Sequence, residues 1–124
     1  MGFNFEKLDI YEKSIDFVNQ VYLVTKNYPK EEMFGLTNQF RRAAVSISLN
    51  IAEGSAKTKK DFNRFVDMAR GSVFECVAIL QISERLSYIS QLQFDELRDR
   101  LVEISKMLSG LKRSLSLSTP YQEQ

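Results

Sequence analysis

Apolar residues recur along this chain at alternating steps of three and four, the spacing of one face of an α-helix. The first run is Ile10, Ser14, Phe17, Val21, Val24 and Tyr28, and it predicts a helix from about Asp9 to Asn27. Pro29 stops that helix, because proline disfavours helical backbone in the residue before it. One helical turn fits in "KEEMF" before Gly35 interrupts. A second run, Phe40, Ala43, Ala44, Ile47 and Ile51, predicts a helix capped by Thr37 and ending between Glu53 and Ala56, with Gly54 as the place where it ends or loosens. Thr58 and Asp61 have capping-box spacing and open a third helix reaching to about Tyr88. Its face is Phe62, Phe65, Val66, Ala69, Ser72, Val73, Cys76, Leu80 and Ser83. The fourth run is the cleanest: Phe94, Leu97, Leu101, Ile104, Leu108, Leu111 and Leu115, with Arg98, Glu103, Lys106 and Arg113 on the opposite side. Strand patterns and internal repeats are absent. Four helices with short links predict an all-α fold, an up-and-down antiparallel four-helix bundle. It is one domain over residues 1–124, with a flexible C-terminal tail ("STPYQEQ") from about residue 117.

Three of the four helices carry apolar or small residues off their core face. On the first these are Tyr11, Ile15, Val18 and Tyr22; on the second, Val45 and Leu49; on the third, Gly71, Phe74, Ala78 and Ile82. An isolated small bundle would expose them, and contiguous apolar patches mark interfaces. The pattern therefore predicts a homo-oligomer, with those residues at the contact.

Composition then narrows the chemistry. The 124 residues suit a single domain, which buries roughly two thirds of its unfolded surface. Lysine and arginine number 17 against 16 acids, so the formal charge is +1 and bulk electrostatics does not announce a nucleic-acid binder. The chain has no histidine, which excludes histidine acid–base chemistry, histidine metal sites and the Glu-x-x-His motifs of di-iron bundles. The single cysteine, Cys76, allows no intrachain disulfide and lies on an apolar stripe, where a thiol is inert. No apolar run approaches the roughly 20 residues of a membrane span, and no secretory leader is visible, so a cytoplasmic protein is expected. No cofactor is expected.

One polar stripe flanks the apolar face of the second helix: Gln39, Arg42, Ser46, Asn50 and Glu53. Ser72 and Glu75 form a matching flank on the third. If the flanks meet, Arg42 or Asn50 satisfies Glu53 or Glu75 at a helix–helix seam, because buried polar groups need partners. The competing reading is a ligand pocket or a catalytic Glu53–Glu75 pair, for which no histidine or nucleophile context exists. After Glu53 comes "GSAKTKK", which is not a phosphate-binding Walker loop. Lys57, Lys59, Lys60 and Arg64, with Arg41 pointing off the core face, form a candidate nucleic-acid contact surface; the bland reading is a solvated link.

The stretches "YPKEEMFGLTNQFRRAAVSISLNIAEG" and "FNRFVDMARGSVFEC" resemble the family of four-helix proteins associated with intervening sequences of bacterial 23S ribosomal RNA, whose members are also labelled S23 ribosomal protein. The resemblance spans about Phe5 to Leu115. It rests on Pro29, Gly35, Leu36, Gln39, Arg42 and Ala43, on the Asn50–Gly54 signature, and on Gly71, Ser72 and Glu75. Where the family pattern has Ser-Ile-Pro, this chain has Ser46, Ile47 and Ser48, which relieves helix two of an interior proline without changing its course. The resemblance implies a ring, with five subunits the expected number, no enzymatic activity, and kinship with the basic accessory protein of diversity-generating retroelements. Two functions compete on these grounds. One is an RNA- or DNA-associated adaptor, with structured RNA favoured; the other is a homo-oligomeric protein-interaction scaffold that binds no nucleic acid.

Overall fold

A computed structural model describes residues 2–117. Its four α-helices are α1 (Asp9–Thr25), α2 (Leu36–Ser55), α3 (Lys59–Arg85) and α4 (Gln91–Leu117), with short 3-10 turns at Asn4–Lys7 and Lys30–Glu32. Among the described residues there is no strand. Consecutive helices pack side by side, and α1 closes against α4, which makes an up-and-down bundle. The expected tail, residues 118–124, lies outside the described residues.

The predicted apolar faces become the core. Phe17, Val21, Phe40, Ile47, Ile51, Val66, Leu80, Ile104 and Leu108 are fully shielded. Phe17 meets Phe40 edge-on at 6.4 Å between ring centres, where α1 crosses α2. Ser14 and Ser48 are buried with them: Ser48 Oγ donates to Ser14 Oγ at 2.8 Å, and Ser14 Oγ donates to the Tyr11 carbonyl at 2.7 Å. That chain of hydroxyls lets two polar side chains sit in the α1–α2 seam.

The helix ends depart from expectation in instructive ways. α1 stops at Thr25, two residues early, while Tyr28 still reaches the core. Thr37 does not cap α2; it is buried inside the first turn, and Gly35 occupies the cap position. The cap is supplied from the preceding turn, since Glu32 Oε1 accepts from Leu36 N–H at 3.0 Å. Glu32 Oε2 accepts from the Tyr88 hydroxyl at 2.8 Å, and Tyr88 packs on Tyr28 at 5.2 Å. One carboxylate thus ties the α1–α2 link to the α3–α4 link. Thr58 caps α3 as expected, its hydroxyl accepting from Asp61 N–H at 3.2 Å. α3 ends at Arg85 rather than near Tyr88, because Ser87 adopts a left-handed backbone with φ 63°. Ser87 N–H then bonds Glu84 O at 3.0 Å and Tyr88 N–H bonds Ser83 O at 2.9 Å, a Schellman closure with serine where glycine is usual. α4 opens with a full capping box: Gln93 N–H to Ser90 Oγ at 3.1 Å, and Ser90 N–H to Gln93 Oε1 at 2.9 Å.

Gly54 does not terminate α2, which continues to Ser55, and no glycine has a left-handed backbone. It lies where α2 meets α3: a Cβ there would stand 2.6 Å from Phe65 Cβ and 2.8 Å from Phe62 Cδ1. The glycine is a close-approach residue.

The Glu32 clamp carries a pH dependence. The Leu36 N–H, then the Tyr88 hydroxyl, hold the Glu32 carboxyl below the usual carboxylate range, and the same bond pushes the Tyr88 phenol up. A carboxyl lowered in the fold takes its proton first in the unfolded chain. Its stabilising contribution is therefore present at neutral pH and disappears as pH falls through the carboxylate range, below about pH 4. Asp67, lowered first by its bond from Lys112, acts in the same direction. The melting temperature by circular dichroism should drop on acidification, and Glu32→Gln should flatten part of that drop. An acid limb identical in both proteins would show that the clamp contributes nothing.

Candidate nucleic-acid interface

The α2–α3 link is short because α3 is capped by Thr58 one residue after Lys57. This places Lys57, Lys59 and Lys60 around one end of the bundle, all exposed. Lys57 Nζ lies 5.9 Å from the centre of the Phe65 ring, and Arg64 pairs with Asp61 at 3.2 Å. Both are exposed contacts that an incoming phosphate can replace at little cost. Arg41 does not join them. It lies fourteen residues before Ser55, where α2 ends, roughly 21 Å away at helical rise. Its side chain is half-buried against α1, donating from Nε to Thr25 Oγ1 at 2.9 Å with its guanidinium 4.5 Å from the Tyr22 ring centre. Arg42, expected as the internal partner, is the exposed one. The neighbours exchange roles because Thr25 and Tyr22 offer a hydrogen bond and a ring on the side that Arg41 faces.

The polar seam between α2 and α3 is built of small groups. Ser72 Oγ donates to Ser46 Oγ at 2.9 Å, and Asn50 Nδ2 donates to Ser46 O at 2.9 Å and lies 3.1 Å from Ser46 Oγ. Gln39, Arg42, Glu53 and Glu75 stay in water, and none of their side chains has a hydrogen bond or ion pair among the described residues. Ionised groups of that size are costly to bury, whereas hydroxyls satisfy one another in a narrow seam. Glu53 and Glu75 are not a pair. Gly54 abuts Phe62 and Phe65, so Glu75 lies at least ten residues further along α3, roughly 15 Å away.

On the off-core faces, Leu49 is 61% exposed, Phe74 67% and Ile82 47%. Ile15 and Tyr22 are exposed on α1, while Tyr11, Val18 and Val45 are half-buried. Gly71 and Ala78 are exposed, and a Cβ added to Gly71 meets nothing within 4 Å. No neighbour among the described residues requires that glycine.

Titratable chemistry is sparse. Cys76 is wholly buried, and burial, then the Glu75 charge, pushes its thiol up to about 12, which removes it as a nucleophile at neutral pH. Burial raises the Tyr28 phenol while the nearby Ser83 hydroxyl opposes the shift, although neither hydroxyl oxygen reaches hydrogen-bond geometry with any group among the described residues. Among the described residues, no group of three or more acids and cysteines is placed to hold a metal ion, and no helix is long and apolar enough to cross a membrane.

Comparison with known proteins adds to this geometry. Residues 6–110 match the family described as 23S rRNA-intervening sequence protein. A crystal structure at 1.70 Å resolution of a protein of unknown function from the S23 ribosomal protein family of Bacteroides thetaiotaomicron VPI-5482 has the same fold. It superposes with a TM-score of 0.75 at 24% identity, covering 83% of this chain and 97% of that one. None of the curated proteins matches. The four-helix architecture and the long family match agree, and the chain belongs to the 23S rRNA-intervening sequence protein family.

Proposed function

We propose that the protein is a non-catalytic, self-assembling adaptor that contacts structured RNA through phosphate groups at the α2–α3 end of its bundle. The observation that carries this reading is the exposed Lys57, Lys59 and Lys60 beside Arg64, with Asp61 the one acid among residues 57–66. Phosphate and shape would dominate recognition, with little reading of base edges. Assembly supplies strength that a chain of net charge +1 lacks alone, because a ring repeats each weak contact and avidity multiplies them. The exposed faces of Leu49, Phe74 and Ile82 supply the self-contact, and the family resemblance makes five copies the expected number. The same near-neutral charge and the same apolar faces support the second reading, a homo-oligomeric scaffold for protein partners without RNA.

The two readings separate in one experiment. The affinity of an RNA hairpin is measured by fluorescence anisotropy across a salt series, for the native chain and for Lys57→Glu/Lys59→Glu/Lys60→Glu. The adaptor reading expects the triple variant to lose about hundredfold in affinity and to flatten the log–log salt slope by about 2 to 3. Sedimentation velocity should report the same assembly for both. Unchanged affinity in a variant that still assembles would remove this surface, and absence of binding by the native chain at low salt would leave the scaffold.

A further inference from the structure

The cations of this bundle do not stop at the α2–α3 link. Along the outer seam between the first half of α3 and the second half of α4 runs a groove of about 420 Å³, lined by Arg70, Ser109, Lys112, Arg113, Ser116 and Leu117. Its cations come from two helices. Lys112 Nζ lies 2.9 Å from Asp67 Oδ2, and Arg70 Nη1 lies 3.3 Å from Asp67 Oδ1. One carboxylate therefore holds two cations at the groove and neutralises only one of them. The Arg113 side chain is exposed and has no acid or acceptor among the described residues. The groove so carries three positive side chains against one acid.

Arg70 Nε is shielded from solvent and meets no acceptor among the described residues. The rest of the side chain is not buried: Arg70 is 36% exposed, so an anion in the groove meets its outer guanidinium nitrogens. An anion with several oxygens fits this donor set: guanidinium groups grip phosphate through paired N–H bonds, and lysine adds a point charge. Towards the link, Asn63 Nδ2 donates to Ser116 Oγ at 3.1 Å and joins the two helices between Lys60 and the groove. Ten residues of α3 separate Lys60 from Arg70, roughly 15 Å at helical rise, so one nucleic-acid strand can reach both.

We infer that this α3–α4 groove receives a backbone phosphate of the RNA held at the α2–α3 link, with Arg70, Lys112 and Arg113 as its contacts. The inference rests on the RNA reading above, and it adds a second contact surface on a different pair of helices. Phe74 and Ile82 lie further along α3, beyond the groove, so the seam and the proposed self-contact occupy different stretches of that helix.

The test uses Arg113→Gln, which removes an exposed side chain with no partner among the described residues and leaves the Asp67 pairs in place. Arg85→Gln, at the far end of α3, changes net charge equally and serves as the control. RNA-hairpin affinity is measured for both across the salt series, and the Arg70 Nε–H resonance is followed by NMR while RNA or inorganic phosphate is added. The expected result is a three- to tenfold loss for Arg113→Gln with the salt slope reduced by about 1. Arg85→Gln should behave as native, and RNA should shift the Arg70 resonance. If the lysine triple variant loses binding while Arg113→Gln binds as native and the Arg70 resonance stays put, the groove is overturned and the link reading stands. Equal losses in Arg113→Gln and Arg85→Gln also overturn it, as an effect of bulk charge. If the native chain binds no RNA but inorganic phosphate moves the resonance, the RNA reading falls and the groove remains a phosphate site. If neither RNA nor phosphate moves it, both fall.

Discussion

Replacing Gly54 by alanine should lower stability by about 2 kcal/mol, against the direction that helix propensity alone predicts. In an open helix interior the change is favourable by about 1 kcal/mol, because glycine forfeits more backbone entropy on folding. At residue 54 the new methyl would stand 2.6 Å from Phe65 Cβ, an atom fixed to the α3 backbone, so no rotamer change can make room. α3 must therefore shift away from α2, and overpacking of that kind costs about 1–3 kcal/mol or more. Gly71 is the internal control. It lies mid-helix on α3, where an added methyl would have nothing within 4 Å, so Gly71→Ala should stabilise a single copy by about 0.5–1 kcal/mol. Urea unfolding followed at 222 nm compares the two under one set of conditions. A Gly54→Ala protein as stable as the parent would show that the α2–α3 approach is looser than the structure has it.

The second large effect is expected from Ser48→Pro, in the interior of α2. In this chain the substitution should cost about 3 kcal/mol or more, because a helix-interior proline removes one backbone bond and crowds the carbonyl four residues before it. The cost is aggravated here. Ser48 is 4% exposed and bonds Ser14 at 2.8 Å, so a kink would part α1 from α2 at a tightly filled seam. Ser48→Ala is the companion variant. It loses only the one hydroxyl, while Ser14 keeps its bond to the Tyr11 carbonyl, and the expected loss is about 1 kcal/mol. Equal stabilities for the proline and alanine variants would mean that α2 accommodates the ring without bending.

The helical faces were legible in the sequence because periodicity belongs to each helix alone. Ile10 to Tyr28 and Leu97 to Leu115 needed no neighbour to be recognised, nor did the Thr58 cap, whose acceptor and donor are three residues apart. The Ser90–Gln93 box has the same local spacing and was open to the same reasoning. What could not be read depends on residues distant in the chain. Arg41 and Arg42 are adjacent, and only Thr25 and Tyr22 on another helix decide which of them turns inward. Glu32 becomes a clamp through Tyr88, which is 56 residues away. Gly54 has the composition of a helix stop, and its packing role depends on Phe62 and Phe65 across the seam. The α3–α4 groove was hidden for the same reason, since Lys112 and Asp67 are 45 residues apart. Ser87 was missed differently: its left-handed backbone uses a residue type that carries little warning of it.

The uncovered apolar side of α3, with Phe74 67% exposed, has a thermodynamic corollary. Any molecule that covers it binds the native chain and not the unfolded one, so mass action adds the binding free energy to that of folding. When the covering molecule is another copy, the midpoint of unfolding becomes a function of how much protein is dissolved. Dilution is then a denaturant for this bundle, acting without any change of temperature, acidity or solvent.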